Sequence, residues 1–313
     1  MPIPVYHTIA AIREACAGKR VALVPTMGAL HKGHAALIRA AASEGGFVVV
    51  SVFVNPTQFG PKEDFAKYPR TLEADRVISA AAGAHAIFAP CTEEMYPAPV
   101  GQPFQADTNP VPSAEEMYPA PVGQPFQADT NPVRLESLTY VEVPKLDAVL
   151  CGPRRPGHFR GVCTVVLKLF NIVQPEVAVF GAKDAQQSII LQKMVKDLNV
   201  PVRMRIEPTV READGLAMSS RNRYLTPAER ALAPRIYAAL QMIEERARAG
   251  ETDAARLESV LNAALAAIPG ARIDYAEIRD AETLEAMGRL DRPALAAVAV
   301  FLGGTRLIDN VIL

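Results

Sequence analysis

Cysteine is scarce in this 313-residue chain, and the four present, Cys16, Cys91, Cys151 and Cys163, form no C-x-x-C pair and lie far apart. That spacing is neither a zinc pattern nor a disulfide framework, and it predicts buried or incidental thiols. Long apolar runs are also missing. Half of the residues are apolar, but charge, Gly or Pro interrupts them well short of the roughly 20 that a membrane-spanning helix needs. Excess charge of either sign is absent too: 33 Lys and Arg stand against 34 Asp and Glu, so no global cationic field favours nucleic acid. The first 20 residues, MPIPVYHTIAAIREACAGKR, have neither a basic start before an apolar block nor the Arg/Ser-rich character of a transit peptide, and a cytoplasmic location is expected. Finally, neither G-x-G-x-x-G nor a Walker A loop occurs, which counts against a nicotinamide enzyme and a P-loop kinase.

What is present alternates. VALVP at 21–25 and FVVVSVFV at 47–54 are β-branched runs around an alanine-rich segment from Gly33 to about Glu44 with Leu37 and Ile38 on one face, predicting strand, helix, strand. The pattern returns as a helix near Leu72–Ala82, a strand at Ala86–Phe88, a helix across Val162–Ile172, a strand at Val177–Phe180, a helix over Ala185–Leu198 and a strand near Val202–Ile206. Repeated βα units predict an α/β fold, a Rossmann-like doubly wound parallel sheet. After about Pro208 the character changes to two amphipathic helices, 226–248 and 251–267, and two strands, RIDYAEI and ALAAVAVFL. The expected organisation is a domain over 1–208 and a smaller C-terminal α+β domain over 209–313.

One segment stands apart: Glu93–Val111 recurs letter for letter as Glu115–Val133. Two copies are too few for a solenoid, and their Pro, Gly, Asn and Asp oppose regular structure. Residues 90–133 therefore read as a duplicated loop.

Three segments are candidates to carry the chemistry, two at strand ends and one near the expected domain boundary. PTMGALHKGH, Pro25–His34, lies between the first β-branched run and the first helix, where a doubly wound sheet binds ligands and a helix N-terminus attracts phosphate. His31 and His34, three apart, project to one side if the helix begins there; the plain alternative is a turn with two exposed histidines. FGAKDAQQ, Phe180–Gln187, again joins a strand to a helix. Lys183 offers a point charge, Asp184 an acceptor and Gln187 an amide that both donates and accepts, although Asp184 could equally be a helix N-cap. DGLAMSSRNRYL, Asp214–Leu225, brings hydroxyl and guanidinium donors that could wrap a polyphosphate, or is a polar linker. RPGHFRGV adds His158 and Arg160, and VNPTQFG places Asn55 and Gln58 just after a strand.

Together PTMGALHKGH, VNPTQFG with YPRT following, RPGHFRGV, FGAKDAQQ, READGLAMSSRNRYL and GGTRLIDN resemble the pantothenate synthetase family, in that order and across nearly the whole chain. That family lies within the H-x-G-H nucleotidylyl transferases, whose second signature, a Lys-Met-Ser-Lys-Ser-type loop, is matched by Met218-Ser219-Ser220-Arg221. The resemblance implies that His31, His34, Lys183, Ser219, Ser220 and Arg221 bind ATP phosphates and that Gly181 and Asp184 line the adenosine site. It implies that Met27, Gln58 and Gln187 hold pantoate, with Met27 and Met218 also against the nucleotide. His34, Lys183, His31 and Arg221 are the expected catalytic set. It further implies Mg²⁺, with its ligands undefined, a hinged C-terminal lid, and a homodimer working on pantoate, β-alanine and ATP without nucleic acid or membrane. The doubled loop departs from the family pattern.

The expected reaction is attack of the pantoate carboxylate on the α-phosphorus of ATP, releasing pyrophosphate, followed by attack of the β-alanine amine on the pantoyl adenylate and departure of AMP. No protein nucleophile is required, in keeping with the lack of a Ser-His-Asp or Cys-His arrangement. Two alternatives stay open at this level: another nucleotidylyl transferase acting on a different acid or phosphate, and a non-catalytic nucleotide-binding regulator. An aminoacyl-tRNA synthetase is disfavoured by the lack of an RNA-binding appendage and basic surface.

Overall fold

Strand β2 (Val21–Thr26) shows why the sheet forms where it does. Its side chains alternate between two cores: Val21 and Leu23 pack with one buried cluster, Ala22 and Val24 with another. A strand covered on both faces reads as a continuous apolar run, as expected of a parallel sheet with helices on each side. The computed structural model describes residues 3–60, 65–97 and 138–313. In it β2 pairs in parallel with β3 (Phe47–Val52) and β5 (Val177–Gly181), and the six-stranded order is β1-β4-β3-β2-β5-β6, with β1 at Val5–Tyr6, β4 at Ala86–Phe88 and β6 at Arg203–Glu207.

Helices α1 (Ile9–Cys16), α6 (His158–Val173) and α7 (Ala185–Asp197) supply Ile12, Val162, Phe170 and Ile190 to one face, while α2 (Lys32–Ser43) and α3 (Leu72–Ala82) supply Ile38, Ala41 and Leu72 to the other. Short helices α4 (Thr92–Met95) and α5 (Pro144–Asp147) sit in the connections. From β2 the chain winds through β3 to β4 in one direction, and from β5 to β6 in the other. The gap beyond the carboxyl ends of β2 and β5 is thus a topological switch point, the place where such sheets open a crevice.

Beyond β6 lies a second sheet, antiparallel β7 (Ala271–Asp280), β8 (Ala294–Leu302) and β9 (Thr305–Ile312) in that order. Alternation along β8 explains its apolar sequence. Ala294, Ala296, Val298 and Val300 pack in a core with α9 (Pro234–Arg248) and α10 (Ala254–Ala266), whereas Leu295, Ala297 and Ala299 join the first core. The small sheet is therefore clamped between its own helices and the large sheet's apolar cover. The single helix expected over 226–248 is two, α8 (Pro227–Leu232) and α9. Pro234 lacks an N–H and restarts the helix at its first turn. Cys16, Cys151 and Cys163 are buried free thiols and Cys91 is half-buried and free, as the spacing suggested.

Most of the duplicated segment, residues 98–137, lies outside the described residues, but the start of its first copy does not. Glu94 accepts the N–H of Ile9 at 2.6 Å, Met95 is fully buried, and the Tyr96 hydroxyl donates to Asn55 Oδ1 at 2.8 Å. One such docking place cannot hold two identical segments. Deleting Pro112–Val133 removes one copy and keeps this one. The shortened chain should keep its fold and, in whatever reaction its site carries out, a rate within about tenfold of the full chain, since doubling the length of a connection changes closure entropy by only about 0.6 kcal/mol. A larger fall in steady-state kinetics would mean that the second copy takes part in the site.

Candidate active site

The H-x-G-H segment builds its own helix start. His31 is the N-cap of α2: its Nδ1 accepts the N–H of Gly33 at 3.1 Å, while His34 Nδ1 accepts the N–H of His31 at 3.3 Å. This is a reciprocal capping box made by two imidazoles, with the rings 4.1 Å apart. Glycine between them is a steric requirement, because a β-carbon at Gly33 would fall 2.8 Å from His31 Cε1. Each Nδ1 is an acceptor, so in the neutral ring the proton sits on Nε2. The cap thereby leaves two Nε2–H donors at a helix N-terminus.

Both rings are held neutral. Burial, then the Lys183 and Arg223 cations, push His31 down to about 4; burial, then His31 and Lys183, push His34 down to about 3. A histidine depressed in the fold leaves the unfolded chain binding more protons below its ordinary value of 6.5, so the folded state loses stability as pH falls through that value toward the folded one. Above the ordinary value the effect vanishes. His31→Asn keeps a good N-cap and removes this titration. Between about pH 7 and about pH 4.5 the wild type should lose about 2 kcal/mol more than the variant in urea melts. Parallel acid limbs would show that His31 does not titrate this way.

Across the crevice β5 ends in a 3₁₀ turn, Ala182–Asp184, leading into α7. Asp184 occupies the N-cap position but its side chain makes no capping hydrogen bond, so the carboxylate is not consumed by the helix. The two glutamines that follow divide the work. Gln186 is buried and structural, donating to the carbonyls of Leu146 and Val149 and accepting from Cys151 N–H, while Gln187 lines the cleft.

The floor is a network around Asn55. Its amide donates to Gln58 Oε1 at 3.2 Å and to the Gly161 carbonyl at 3.1 Å, and its Oδ1 accepts from Thr57 and Tyr96. Gly161 permits this contact, since a β-carbon there would lie 2.4 Å from the Thr57 carbonyl oxygen. Gln58 Nε2 in turn donates to Met27 Sδ at 2.8 Å. His158 Nδ1 lies 2.8 Å from the Gln58 carbonyl and its Nε2 lies 2.9 Å from Arg155 Nη1. His158 is thus an Nδ1–H tautomer that fixes the Gln58 backbone. Arg160 points away, pairing with Glu142 and covering the Tyr140 ring.

The third wall is the hairpin 210–218 and the turn after it. Glu212 N–H bonds to the Leu216 carbonyl, Met218 N–H to the Val210 carbonyl, and Ser219 Oγ caps the 3₁₀ turn by accepting the N–H of Arg221 at 3.2 Å. Arg223 is exposed and bonds to the Ser220 carbonyl.

Met27, His31, His34, Gln58, Gly181, Lys183, Asp184, Gln187, Met218, Ser219, Ser220 and Arg221 all line one cleft of about 1210 Å³. Three segments far apart in sequence, two at strand ends and one after the 210–218 hairpin, thus meet at the switch point. Among the described residues no three His, Cys, Asp or Glu side chains converge to hold a metal. The donor set suits a cation that arrives on phosphates better than a protein cage.

Comparison with known proteins gives the family. The family model for pantoate-beta-alanine ligase matches residues 4–312. The chain belongs to the pantoate-beta-alanine ligase family. It is 48% identical to the pantothenate synthetase of Moorella thermoacetica, covering 98% of this chain and 97% of that one, and 49% identical to that of Salinibacter ruber, covering 94% and 90%. The crystal structure of the ligase from Thermus thermophilus superposes with a TM-score of 0.84 at 42% identity over 99% of each chain. That of the Francisella tularensis ligase, complexed with beta-gamma ATP and β-alanine, superposes with a TM-score of 0.70 at 30% identity over 99% of this chain and 97% of that one.

Sequence reasoning passed over two residues at this ligase's site. Asp75 sits on α3 behind the H-x-G-H loop, and Asn310 on β9 behind Lys183. Both lie in quoted segments or just beyond them, but each acts on backbone groups distant in sequence.

Proposed function

We propose that this cleft condenses pantoate with β-alanine at the expense of ATP, through a pantoyl adenylate. The observation that carries the reading is the meeting of three kinds of phosphate donor at one switch point: two neutral imidazole N–H groups at a helix N-terminus, the Lys183 ammonium, and the Ser219–Arg221 turn. In the first step a pantoate carboxylate oxygen attacks the α-phosphorus in line, an O–P bond forms, and the bond to pyrophosphate breaks. Lys183, Arg221 and the histidine Nε2–H groups meet the charge that builds on phosphate oxygens. Ser219 and Ser220 add hydroxyl donors, and Gly181 and Asp184 face the nucleoside. When bound with the nucleotide, Mg²⁺ would be held through the phosphates that Lys183, Arg221 and the histidine N–H groups meet, and would draw charge off them.

Gln58 and Gln187 hold pantoate, with Met27 beside them, and the apolar wall of Phe53, Val162 and Val166 suits its methyl groups. In the second step the β-alanine amine attacks the acyl carbon, the C–N bond forms and AMP leaves with the mixed anhydride's oxygen. Residues 209–313 act as a lid over 1–208, keeping water from the adenylate. The reading includes a cytoplasmic location and a homodimer, the latter implied by the resemblance, and sedimentation equilibrium tests the dimer. The decisive assay is pantoate-dependent exchange of labelled pyrophosphate into ATP. Absence of exchange, or exchange driven equally by unrelated acids, overturns the reading.

A further inference from the structure

Two consecutive residues of β9, Asp309 and Asn310, each hold one of the phosphate-facing loops. Asn310 Nδ2 donates to the carbonyls of Ala182 and Lys183, both at 2.9 Å. The Asp309 carboxylate takes the Arg211 guanidinium in two bonds of 2.6 and 2.9 Å, and Arg211 also donates to the Gly215 carbonyl at 3.1 Å and lies over the Tyr237 ring. Arg211 is not a loose surface group. It bridges to Ala217 within the hairpin that delivers Met218, Ser219, Ser220 and Arg221 to the cleft. Successive side chains of a strand point to opposite faces, so one dipeptide can reach two loops.

We propose that Asp309-Asn310 is a positioning clasp that sets the placement of Lys183 relative to the Ser219–Arg221 turn, and so tunes the first half-reaction. The inference rests on reading Lys183 as a phosphate ligand. The residue types follow from the geometry. Two carbonyls side by side need two N–H donors from one short planar group, which an Asn amide has and Asp or Ser lacks. A guanidinium fork needs a carboxylate to meet it in two bonds. Both residues are buried, so water cannot readily substitute for either partner.

The test is Asn310→Ala, Lys183→Ala and the double variant, read by pantoate-dependent pyrophosphate exchange and by thermal melting. Asn310→Ala should lower the exchange rate about tenfold or more while the KM for pantoate stays within about twofold, the pattern of a misplaced charge and not of a lost substrate contact. In the Lys183→Ala background the same substitution should cost almost nothing further, because the group it positions is gone. A purely structural role would cut the rate by the same factor in both backgrounds, and that result overturns the clasp. So does an unchanged rate in Asn310→Ala when Lys183→Ala alone is crippled. A full rate in Lys183→Ala overturns the assignment of Lys183 and the clasp with it. Should Asn310→Ala fail to fold, Asn310→Asp keeps the shape, removes both donors and must show the same split between rate and KM.

Discussion

Lys183→Ala should lower the rate of adenylate formation by about 10²–10³, the usual loss when one preorganised charge-stabilising donor is removed from a water-poor site. The reason lies in what surrounds the side chain. Its backbone is fixed by Asn310, and its charge is felt strongly enough by His31 and His34 to help depress both. Among the described residues no other lysine shares the carboxyl end of β5 with it, and the other described lysine lining the cleft, Lys67, comes from the turn before α3. Folding should change little, because among the described hydrogen bonds Lys183 enters only through its carbonyl. Lys183→Arg should recover part of the rate, since charge survives but a planar fork replaces a point donor. Single-turnover formation of pantoyl adenylate, with melting curves alongside, is the measurement. Near-normal adenylation in the alanine variant, or loss of the folded state, would show that a structural lysine has been mistaken for a catalytic one.

The sequence was readable where chemistry and backbone geometry are local. α3 and β4 fall on the residues expected, Leu72–Ala82 and Ala86–Phe88, because one is an acid-started helix ending at a left-handed Gly83 and the other an isolated apolar triplet, Ala-Ile-Phe. The H-x-G-H segment was readable for the same reason: cap, glycine and donor pair lie within four residues. Short α1 was missed even though Thr8 caps it, since eight residues give too few turns for a periodic signal. β9 was missed for a different reason. Its sequence, TRLIDNVI, places Arg306, Asp309 and Asn310 among apolar residues, and these polar positions make sense in a strand only once Asp274, Arg211 and the 182–183 carbonyls are brought to meet them. No local pattern encodes partners about 100 positions away. His158 shows the converse case: its motif marked it, but the structure spends its Nδ1 on the Gln58 carbonyl and its Nε2 on Arg155.

Asp75→Ala should be the most destabilising single change near the cleft, because this carboxylate is almost fully buried and holds the loop that aims the histidines. Its Oδ2 accepts the N–H of Ala29 at 3.1 Å, and its Oδ1 accepts the N–H of Leu30 at 2.7 Å and the Thr71 hydroxyl at 3.2 Å. Burial raises its pKa while those hydrogen bonds, led by that from Leu30, oppose the rise. An acid in the first turn of a helix would ordinarily be read as answering the helix dipole, which is why the sequence did not single it out. Here it also pins Ala29, a non-glycine residue at φ +52°, in the left-handed region, where a backbone persists only if its surroundings enforce it. Alanine at 75 leaves two buried N–H groups without an acceptor, at about 1–3 kcal/mol each, and releases the strained residue. The expected loss is about 3 kcal/mol in urea denaturation. Asp75→Asn should lose roughly half of that, because its single oxygen can serve one amide while its NH₂ faces the other donor. Adenylation should fall in step with the loop's disorder, about tenfold or more in Asp75→Ala, since His31 and His34 follow directly on Leu30 in the same loop and helix start. A denaturation midpoint unchanged in Asp75→Ala would mean that water or a rearranged Thr71 satisfies the two amides, and that the loop holds its shape without the carboxylate.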